Sequence, residues 1–190
     1  MNKNRVIVAL DSNNLEKSEK LIETFKNQAF AFKIGYEFFL NFGLSGYKKI
    51  QNKDVKIFLD LKLHDIPNTI KKSIETISNL NPYFTTIHIS GGDEMQKTAS
   101  VYRKNIKILG VSILTSIDNK QAKKYYNNEN IENLVTNFVS SALKNNLDGV
   151  VCSPHEIKMV KKIAGNKLDI VTPGIRPENY NKYDDQKRFM

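Results

Sequence analysis

Seven short runs rich in β-branched and aromatic residues, each followed by a stretch with helical periodicity, constrain this chain more than any other feature. Their starts lie about 20 to 30 residues apart, with one longer gap before Gly149, a spacing suited to parallel strands joined by helices. The pattern therefore predicts an α/β fold with a parallel sheet, built either as a doubly wound open sheet or as a (β/α)₈ barrel. The predicted strands are Val6–Asp11, Phe30–Gly35, Val55–Lys62, Phe84–Ser90, Ile108–Thr115, Gly149–Ser153 and Asp169–Thr172.

The stretches between these runs predict amphipathic helices. In Asn68–Leu80 the isoleucines recur at helical spacing, and Asn68 or Thr69 is placed to cap the amino end. The polar segment Gln121–Asn130 has no such pattern and predicts a surface loop or a frayed helix. The other predicted helices are Leu15–Asn27, Tyr36–Ile50, Met95–Arg103, Ile131–Asn145 and Pro154–Ala164.

The formal net charge of +9 does not indicate a nucleic-acid partner, because 25 of the 29 basic residues are lysines. Recognition of bases and phosphates favours arginine forks, and the lysines are scattered over several predicted helices. An anionic small-molecule substrate is compatible with this charge.

Three further features predict one soluble cytoplasmic domain spanning residues 1–190. A run of about 18 apolar residues, which a membrane span needs, does not occur. The first apolar run ends at Asp11 and is too short for a signal peptide. The single cysteine, Cys152, cannot form a disulfide within the chain, which fits a reducing compartment.

Ionisable residues interrupt the apolar strands near their carboxyl ends. Asp60 and Lys62 alternate along the third strand, so their side chains share one face, opposite Leu59, Leu61 and Leu63. Two opposite charges in so apolar a strand are costly unless they are paired. Asp11 and Lys33 hold comparable positions on two other strands, and in barrels catalytic groups gather at the carboxyl ends of strands.

Lys33, Asp60 and Lys62 together form an alternating charge array. A cation held near a carboxylate can deliver a proton to a developing carbanion, and a fixed carboxylate disfavours a nearby substrate carboxylate. The array therefore predicts decarboxylation or proton transfer without a metal or an organic cofactor. A purely structural ion pair is the alternative for Asp60 and Lys62.

The histidines and the cysteine are interpreted as non-catalytic. His64, His88 and His155 lack the mutual spacing of a metal site. We expect His88 to be a hydrogen-bonded residue inside the sheet, His155 to be exposed, and His64 to lie beyond its strand without an assigned role. Cys152 lies on an apolar strand and is expected to be a buried filler rather than a nucleophile.

The segment DLKLHDIPNT, Asp60–Thr69, resembles the signature of the orotidine 5′-phosphate decarboxylase family, whose members are (β/α)₈ TIM barrels that form UMP in the last step of its synthesis. Seven further blocks resemble the family in the same order along the chain: VALD (Val8–Asp11), KIG (Lys33–Gly35), IHISGGDEM (Ile87–Met95), ILTS (Ile113–Ser116), DGVVCSPHE (Asp148–Glu156), VTPGIRP (Val171–Pro177) and DDQKR (Asp184–Arg188).

The resemblance implies catalytic roles for four residues. Lys62 resembles the lysine that protonates C6 of the pyrimidine as CO₂ leaves, and Asp60 the carboxylate that faces the substrate carboxylate. Lys33 resembles the lysine that bridges the ribose and this carboxylate. Asp65 resembles an aspartate that enters the partner's site across a homodimer interface, accompanied by Ile66 and Thr69.

The resemblance also implies substrate contacts elsewhere. Asp11 resembles a ribose-hydroxyl ligand, and Thr115 with Ser116 resembles the pyrimidine contact. Arg176 and Gln186 match positions on the loop that closes over the nucleotide and its phosphate. No cofactor is needed in this family.

Two alternatives follow from the same comparison with the family. Mg²⁺-dependent relatives, such as 3-keto-gulonate-phosphate decarboxylase and hexulose-phosphate synthase, share the DxKxxD pattern but place an acidic residue where this chain has Lys33. The second alternative is an inactive remnant. The chain matches seven of the family's eight β/α units and ends before the strand with the phosphate-binding Gly-Arg pair, so we expect this 190-residue chain to be poorly stable or weakly active alone.

Overall fold

A single parallel sheet organises the computed structural model, which describes residues 5–175 and Arg188. Within these residues seven strands lie side by side in the order in which they occur in the chain. A doubly wound sheet reverses its strand order, so the consecutive order confirms the barrel alternative. The strands are β1 (Ile7–Ala9), β2 (Ala31–Ile34), β3 (Ile57–Leu63), β4 (Phe84–His88), β5 (Lys107–Val111), β6 (Gly149–Val151) and β7 (Asp169–Val171).

Helices connect the strands on one side of the sheet. Two short 3₁₀ helices, Ile89–Gly91 and Pro154–Glu156, follow the fourth and sixth strands. The helices are α1 (Leu15–Phe25), α2 (Tyr36–Gln51), α3 (Pro67–Leu80), α4 (Asp93–Tyr102), α5 (Asn119–Tyr126), α6 (Ile131–Lys144) and α7 (Ile157–Ala164). Among the described residues, none of these helices is long and apolar enough to cross a bilayer.

Side chains that point inward from distant strands meet in one cluster, which shows that the sheet is curled. Phe58, Phe84 and Leu109, from the three central strands, form its buried centre. Ile7 of β1 and Val171 of β7 pack against that same centre from opposite edges. The two edge strands therefore face one another across a concave interior, as the strands of a barrel do.

A larger core lies between the convex face of the sheet and the helices. Residues that alternate with the inward-facing ones are fully buried there, including Phe32, Leu59 and Ile87. Leu61 and Leu63 are half-buried and pack against the same core, so the predicted division of β3 into two faces is confirmed. This division leaves the concave face available to polar side chains.

Several predicted boundaries differ from the observed ones. Helix α3 begins at Pro67 with Ile66 as its N-cap, rather than with a capping Asn68 or Thr69, because the fixed φ of proline suits the first helical position. The fifth predicted strand ends at Val111 instead of Thr115. Of the two alternatives for Gln121–Asn130, residues 121–126 take the helical one: Asp118 caps the amino end of α5, and Ala122 anchors it in the core.

A polar network joins α4 to α6. The Asp93 carboxylate accepts hydrogen bonds from Ser141 Oγ at 2.7 Å and Asn145 Nδ2 at 2.9 Å, and pairs with Lys144 Nζ at 2.7 Å. These hydrogen bonds, with that from Lys144 the largest contribution, lower the pKa of Asp93 to about 2. The network links two helices between which only β5 and α5 lie in the chain.

We expect Asp93→Asn to lower Tm near neutral pH, because the amide cannot form the ion pair with Lys144. A depressed carboxyl pKa stabilises the folded state above the unfolded pKa of about 4 and ceases to do so as the pH falls through the folded value of about 2. The difference in Tm between parent and variant should therefore shrink as the pH falls below about 4.

Thermal unfolding followed by circular dichroism at several pH values measures this difference. Glu94→Gln, a neutralisation of the exposed neighbouring residue on α4, is the matched control. A Tm difference for Asp93→Asn that stays constant across this pH range would contradict the assignment.

Candidate functional site

Four charged side chains converge at the carboxyl ends of the first three strands. Lys33 Nζ lies 3.0 Å from Asp11 Oδ1 and 4.0 Å from Asp60 Oδ2, and Lys62 Nζ lies 2.8 Å from the same Asp60 oxygen. The structure therefore brings together the four residues that the sequence placed at strand ends. Their charges alternate in the order Asp11, Lys33, Asp60, Lys62.

Asp60 is the buried centre of this array, with 7% of its surface exposed, whereas the two lysine side chains remain partly open to solvent. Burying a carboxylate is costly unless cations and hydrogen-bond donors compensate it. Lys62 supplies a close ammonium group and Lys33 a second one further away. A negative charge is thus fixed beside a positioned ammonium that is open to an incoming ligand.

Thr86 of β4 joins Asp60 to the backbone of Lys62, and sequence reasoning missed it. Its fully buried hydroxyl donates to Asp60 Oδ1 at 2.9 Å and accepts from the Lys62 backbone N–H at 2.8 Å. Strand alternation was the available signal, since Thr86 lies two residues after the inward-facing Phe84 on the next strand.

The backbone of β3 is irregular where it carries Lys62. The pairing register between β3 and β4 shifts between Leu59 and Leu63, and Lys62 adopts a positive φ of 43°. A non-glycine residue in this region is strained, and such strain collects at functional sites. The bulge turns the Lys62 side chain towards Asp60 while its amide reaches the Thr86 hydroxyl.

Gly35 follows β2 where the charged groups come closest to the main chain. A Cβ at this position would lie 3.0 Å from Lys33 Nζ and 3.3 Å from Asp11 Oδ1. Any side chain at this position would therefore push the tips of Lys33 and Asp11 aside by a few tenths of an ångström.

Tyr36 adds a second contact that the sequence did not reveal. Its hydroxyl donates to the Leu61 carbonyl at 2.6 Å and so holds the outer side of the bulged strand. Burial, together with the negative charge of Asp60, raises the pKa of Tyr36. The hydroxyl therefore stays protonated and remains a donor at neutral pH.

His64 and His88 lie as a pair beside Lys62, with ring centroids 5.3 Å apart. His64 follows the end of β3, as expected, and His88 ends β4 half-buried. Burial is the largest influence that lowers the pKa of His88, and the neighbouring His64 and Lys62 charges lower it further. His88 is thus a neutral inward-facing residue at neutral pH.

The residues of the β3–α3 turn lie at the edge of this site. Asp65 and Thr69 line the same surface depression as Lys62, and Asp65 Oδ1 accepts from the Ile66 backbone N–H at 2.7 Å. The Ile66 side chain is 67% exposed. The side chains of Asp65, Ile66 and Thr69 are exposed to solvent and are not part of the Asp60 array.

Of the remaining predicted residues, the two that the structure describes lie after β5. Thr115 and Ser116 are half-buried in the loop after β5, where the Thr115 carbonyl accepts from the Arg188 backbone N–H at 3.1 Å. Arg176 and Gln186 lie outside the described residues. His155 is exposed, as expected, and the described part of the chain contains no cluster of three or more metal-ligating His, Cys, Asp or Glu side chains.

Cys152 is 1% exposed in the core beneath the helices, as the sequence predicted for a buried filler. Burial, assisted by the Glu156 charge, raises the pKa of its thiol to about 12. We expect the native protein to resist alkylation by iodoacetamide at about pH 8, where a free thiol is partly ionised, and the urea-unfolded protein to react readily. Mass spectrometry measures the modified fraction, and rapid modification of the native chain would contradict this burial.

Comparison with known proteins gives one consistent answer. The family model described as Orotidine 5′-phosphate decarboxylase / HUMPS family matches residues 4–190. An orotidine 5′-phosphate decarboxylase of Staphylococcus saprophyticus is 41% identical over 98% of this chain and 83% of its own length. One from Wigglesworthia glossinidia brevipalpis is also 41% identical, over 97% of this chain and 81% of its own length.

A solved structure agrees with these relatives. The crystal structure of orotidine 5′-phosphate decarboxylase from Lactobacillus acidophilus superposes with a TM-score of 0.83 at 36% identity, covering 92% of this chain and 83% of that one. With the family model matched over almost the whole sequence, this chain belongs to the orotidine 5′-phosphate decarboxylase / HUMPS family.

Proposed function

We propose that this chain is a decarboxylase domain that converts orotidine 5′-phosphate to UMP and CO₂. The observation that carries the proposal is the Lys33–Asp60–Lys62 array, in which a buried carboxylate holds an ammonium group at 2.8 Å. The relatives named as orotidine 5′-phosphate decarboxylases support the same substrate.

The array provides a balanced reaction. The bond between C6 and the carboxyl carbon breaks, CO₂ leaves, and the electron pair stays on C6. Lys62 donates a proton to that pair and recovers one from solvent, so one proton is consumed for each UMP formed. In this scheme Asp60 repels the substrate carboxylate more strongly than the transition state, in which that charge is being lost.

The substrate contacts belong to the same proposal. Asp11 and Lys33 bind the ribose, Thr115 and Ser116 contact the pyrimidine, and Arg176 and Gln186 reach the phosphate. Carbon dioxide release in this scheme needs no cofactor, and the enzyme acts in the cytoplasm.

A homodimer completes the proposed site. Asp65, Ile66 and Thr69 are exposed beside the Lys62 depression, where a second copy can reach them. An exposed apolar side chain such as Ile66 is stabilised when a partner covers it. Asp65 then contributes its charge to the partner's substrate.

The Mg²⁺-dependent sugar-phosphate enzymes are the second candidate, since the family model includes the HUMPS group. The Lys33 ammonium favours orotidine 5′-phosphate decarboxylation over the Mg²⁺-dependent reactions. It lies 3.0 Å from Asp11 and 4.0 Å from Asp60, so it repels a divalent cation that would bind between these two carboxylates.

Release of CO₂ from carboxyl-labelled orotidine 5′-phosphate by the purified chain, before and after treatment with EDTA, tests the proposal. We expect turnover that EDTA leaves unchanged, since the scheme uses only side chains. Turnover that EDTA abolishes and Mg²⁺ restores would favour the second candidate. Binding of UMP, measured by calorimetry, provides a readout that does not depend on turnover.

A further inference from the structure

Arg188 makes a set of contacts that the proposed chemistry does not use. Its guanidinium pairs with Glu156 Oε1 and donates to the carbonyl oxygens of Ile113 at 2.9 Å and Leu114 at 3.1 Å. Its own backbone N–H donates to the Thr115 carbonyl at 3.1 Å, and its carbonyl accepts from Ser153 Oγ at 3.0 Å. Side chain and backbone thus both contact the loop after β5 and the 3₁₀ helix after β6.

Glu156 fixes the other end of this arrangement. It is 5% exposed, and its second oxygen accepts from the Ser153 backbone N–H at 2.9 Å in a capping box. Burial raises the pKa of Glu156, and the Arg188 guanidinium opposes that effect. A carboxylate so deeply buried holds a cation firmly, because the alternative is an uncompensated charge.

The planar guanidinium suits this position better than an ammonium group. Arginine presents several donors in one plane and contacts a carboxylate and two carbonyl oxygens at the same time. Three consecutive carbonyl groups, from Ile113 to Thr115, are therefore held by one residue. This leaves little freedom to the loop that carries Thr115 and Ser116.

We infer that Arg188 is a positioning residue that fastens the loop 113–116 to the 3₁₀ helix Pro154–Glu156 and thereby sets the location of Thr115 and Ser116. We call this set the Arg188 clamp; it consists of Arg188, Glu156, Ser153 and the carbonyl groups of Ile113, Leu114 and Thr115. The inference rests on the proposed function, which gives Thr115 and Ser116 to the pyrimidine.

The first test is independent of substrate. The backbone N–H of Ile117, directly after the loop 113–116, donates to the Leu114 carbonyl at 2.9 Å, so its hydrogen exchange reports on loop opening. We expect Arg188→Ala to accelerate exchange at residues 113–118 and to leave α3 unchanged. Lys107→Ala is the matched control. It removes the Lys107–Asp169 ion pair of 2.7 Å, which lies at the amino ends of β5 and β7, whereas Arg188 contacts residues beyond the carboxyl ends of the strands.

Exchange at residues 113–118 that is equal in parent and Arg188→Ala would overturn the inference. If Arg188→Ala does not fold, Arg188→Lys replaces it, because lysine keeps the charge but cannot hold Glu156 and the carbonyl groups together. Unchanged exchange in the lysine variant would overturn the inference equally.

The second test separates positioning from loss of folded enzyme. Destabilisation alone reduces the number of active molecules, so kcat falls while KM stays constant. A misplaced pyrimidine contact also raises KM, and we expect kcat/KM to fall about 10- to 100-fold. Added guanidinium at low concentration should partly restore Arg188→Ala, whereas sodium chloride of equal ionic strength should not.

An unchanged KM, or equal rescue by sodium chloride, would overturn the positioning role. If the parent chain neither releases CO₂ nor binds UMP, the proposed function fails, and hydrogen exchange still decides whether the clamp exists.

Discussion

Replacing Lys62 by alanine is expected to reduce decarboxylation at least about 10³-fold, because the ammonium group is the proposed proton donor and general acids contribute about 10²- to 10⁴-fold. The variant should still fold. The Lys62 side chain is partly exposed, and alanine faces the same backbone strain at φ 43° that lysine already bears. Asp60 keeps its hydrogen bond from Thr86 and the more distant Lys33 charge.

Labelled CO₂ release and circular dichroism of the same preparation separate activity from folding. Lys97→Ala, which removes an exposed lysine of α4, is the matched control and should retain parental turnover. Turnover of Lys62→Ala within a few-fold of the parent would refute its role as proton donor.

Replacing Asp60 by asparagine is expected to lower kcat at least about 10²-fold without raising KM. Asparagine keeps the shape and one oxygen acceptor, but it removes the charge that faces the substrate carboxylate. Because that charge opposes binding of the ground state, its loss leaves substrate binding equal or tighter. The combination of a lower kcat with an unchanged or lower KM is the signature of lost ground-state destabilisation.

Steady-state kinetics of Asp60→Asn provide the measurement. Asp54→Asn is the matched control: Asp54 precedes the same strand, is exposed, and has a positive φ that asparagine also tolerates. An increase in KM with unchanged kcat would show that Asp60 serves substrate binding alone, contrary to its proposed role.

The face shared by Asp60 and Lys62 could be predicted from alternation, and their 2.8 Å contact confirms it. The bulge that gives Lys62 its positive φ could not be predicted, because it depends on the register between β3 and β4. Alternation places Thr86 on the inward face, but its contact with Asp60 depends on that same register. Threonine is common in strands, and only the position of β4 beside β3 reveals its hydroxyl as the partner of Asp60.

Helix α5 and the Arg188 clamp show two other limits of sequence reasoning. Apolar periodicity was the criterion for helices, and α5 contacts the core only through Ala122 and Tyr126 and carries caps at both ends. Arg188 contacts Ile113 from 75 positions away in the chain, a separation over which no local pattern carries information. The predicted strands extend too far at their carboxyl ends because apolar residues such as Ile113 are still buried in the core after the observed strand has ended.

The consecutive order of β1 to β7 has a consequence for how the chain folds. Each described strand after β1 pairs with the one that precedes it in sequence, so every ladder of the described sheet joins strands that are consecutive in the chain. Such topologies have low contact order for a parallel sheet and fold faster than those with long-range strand pairing. During translation, at about 5 to 20 residues per second, each new strand therefore meets a finished edge, and the barrel can grow in the direction of synthesis.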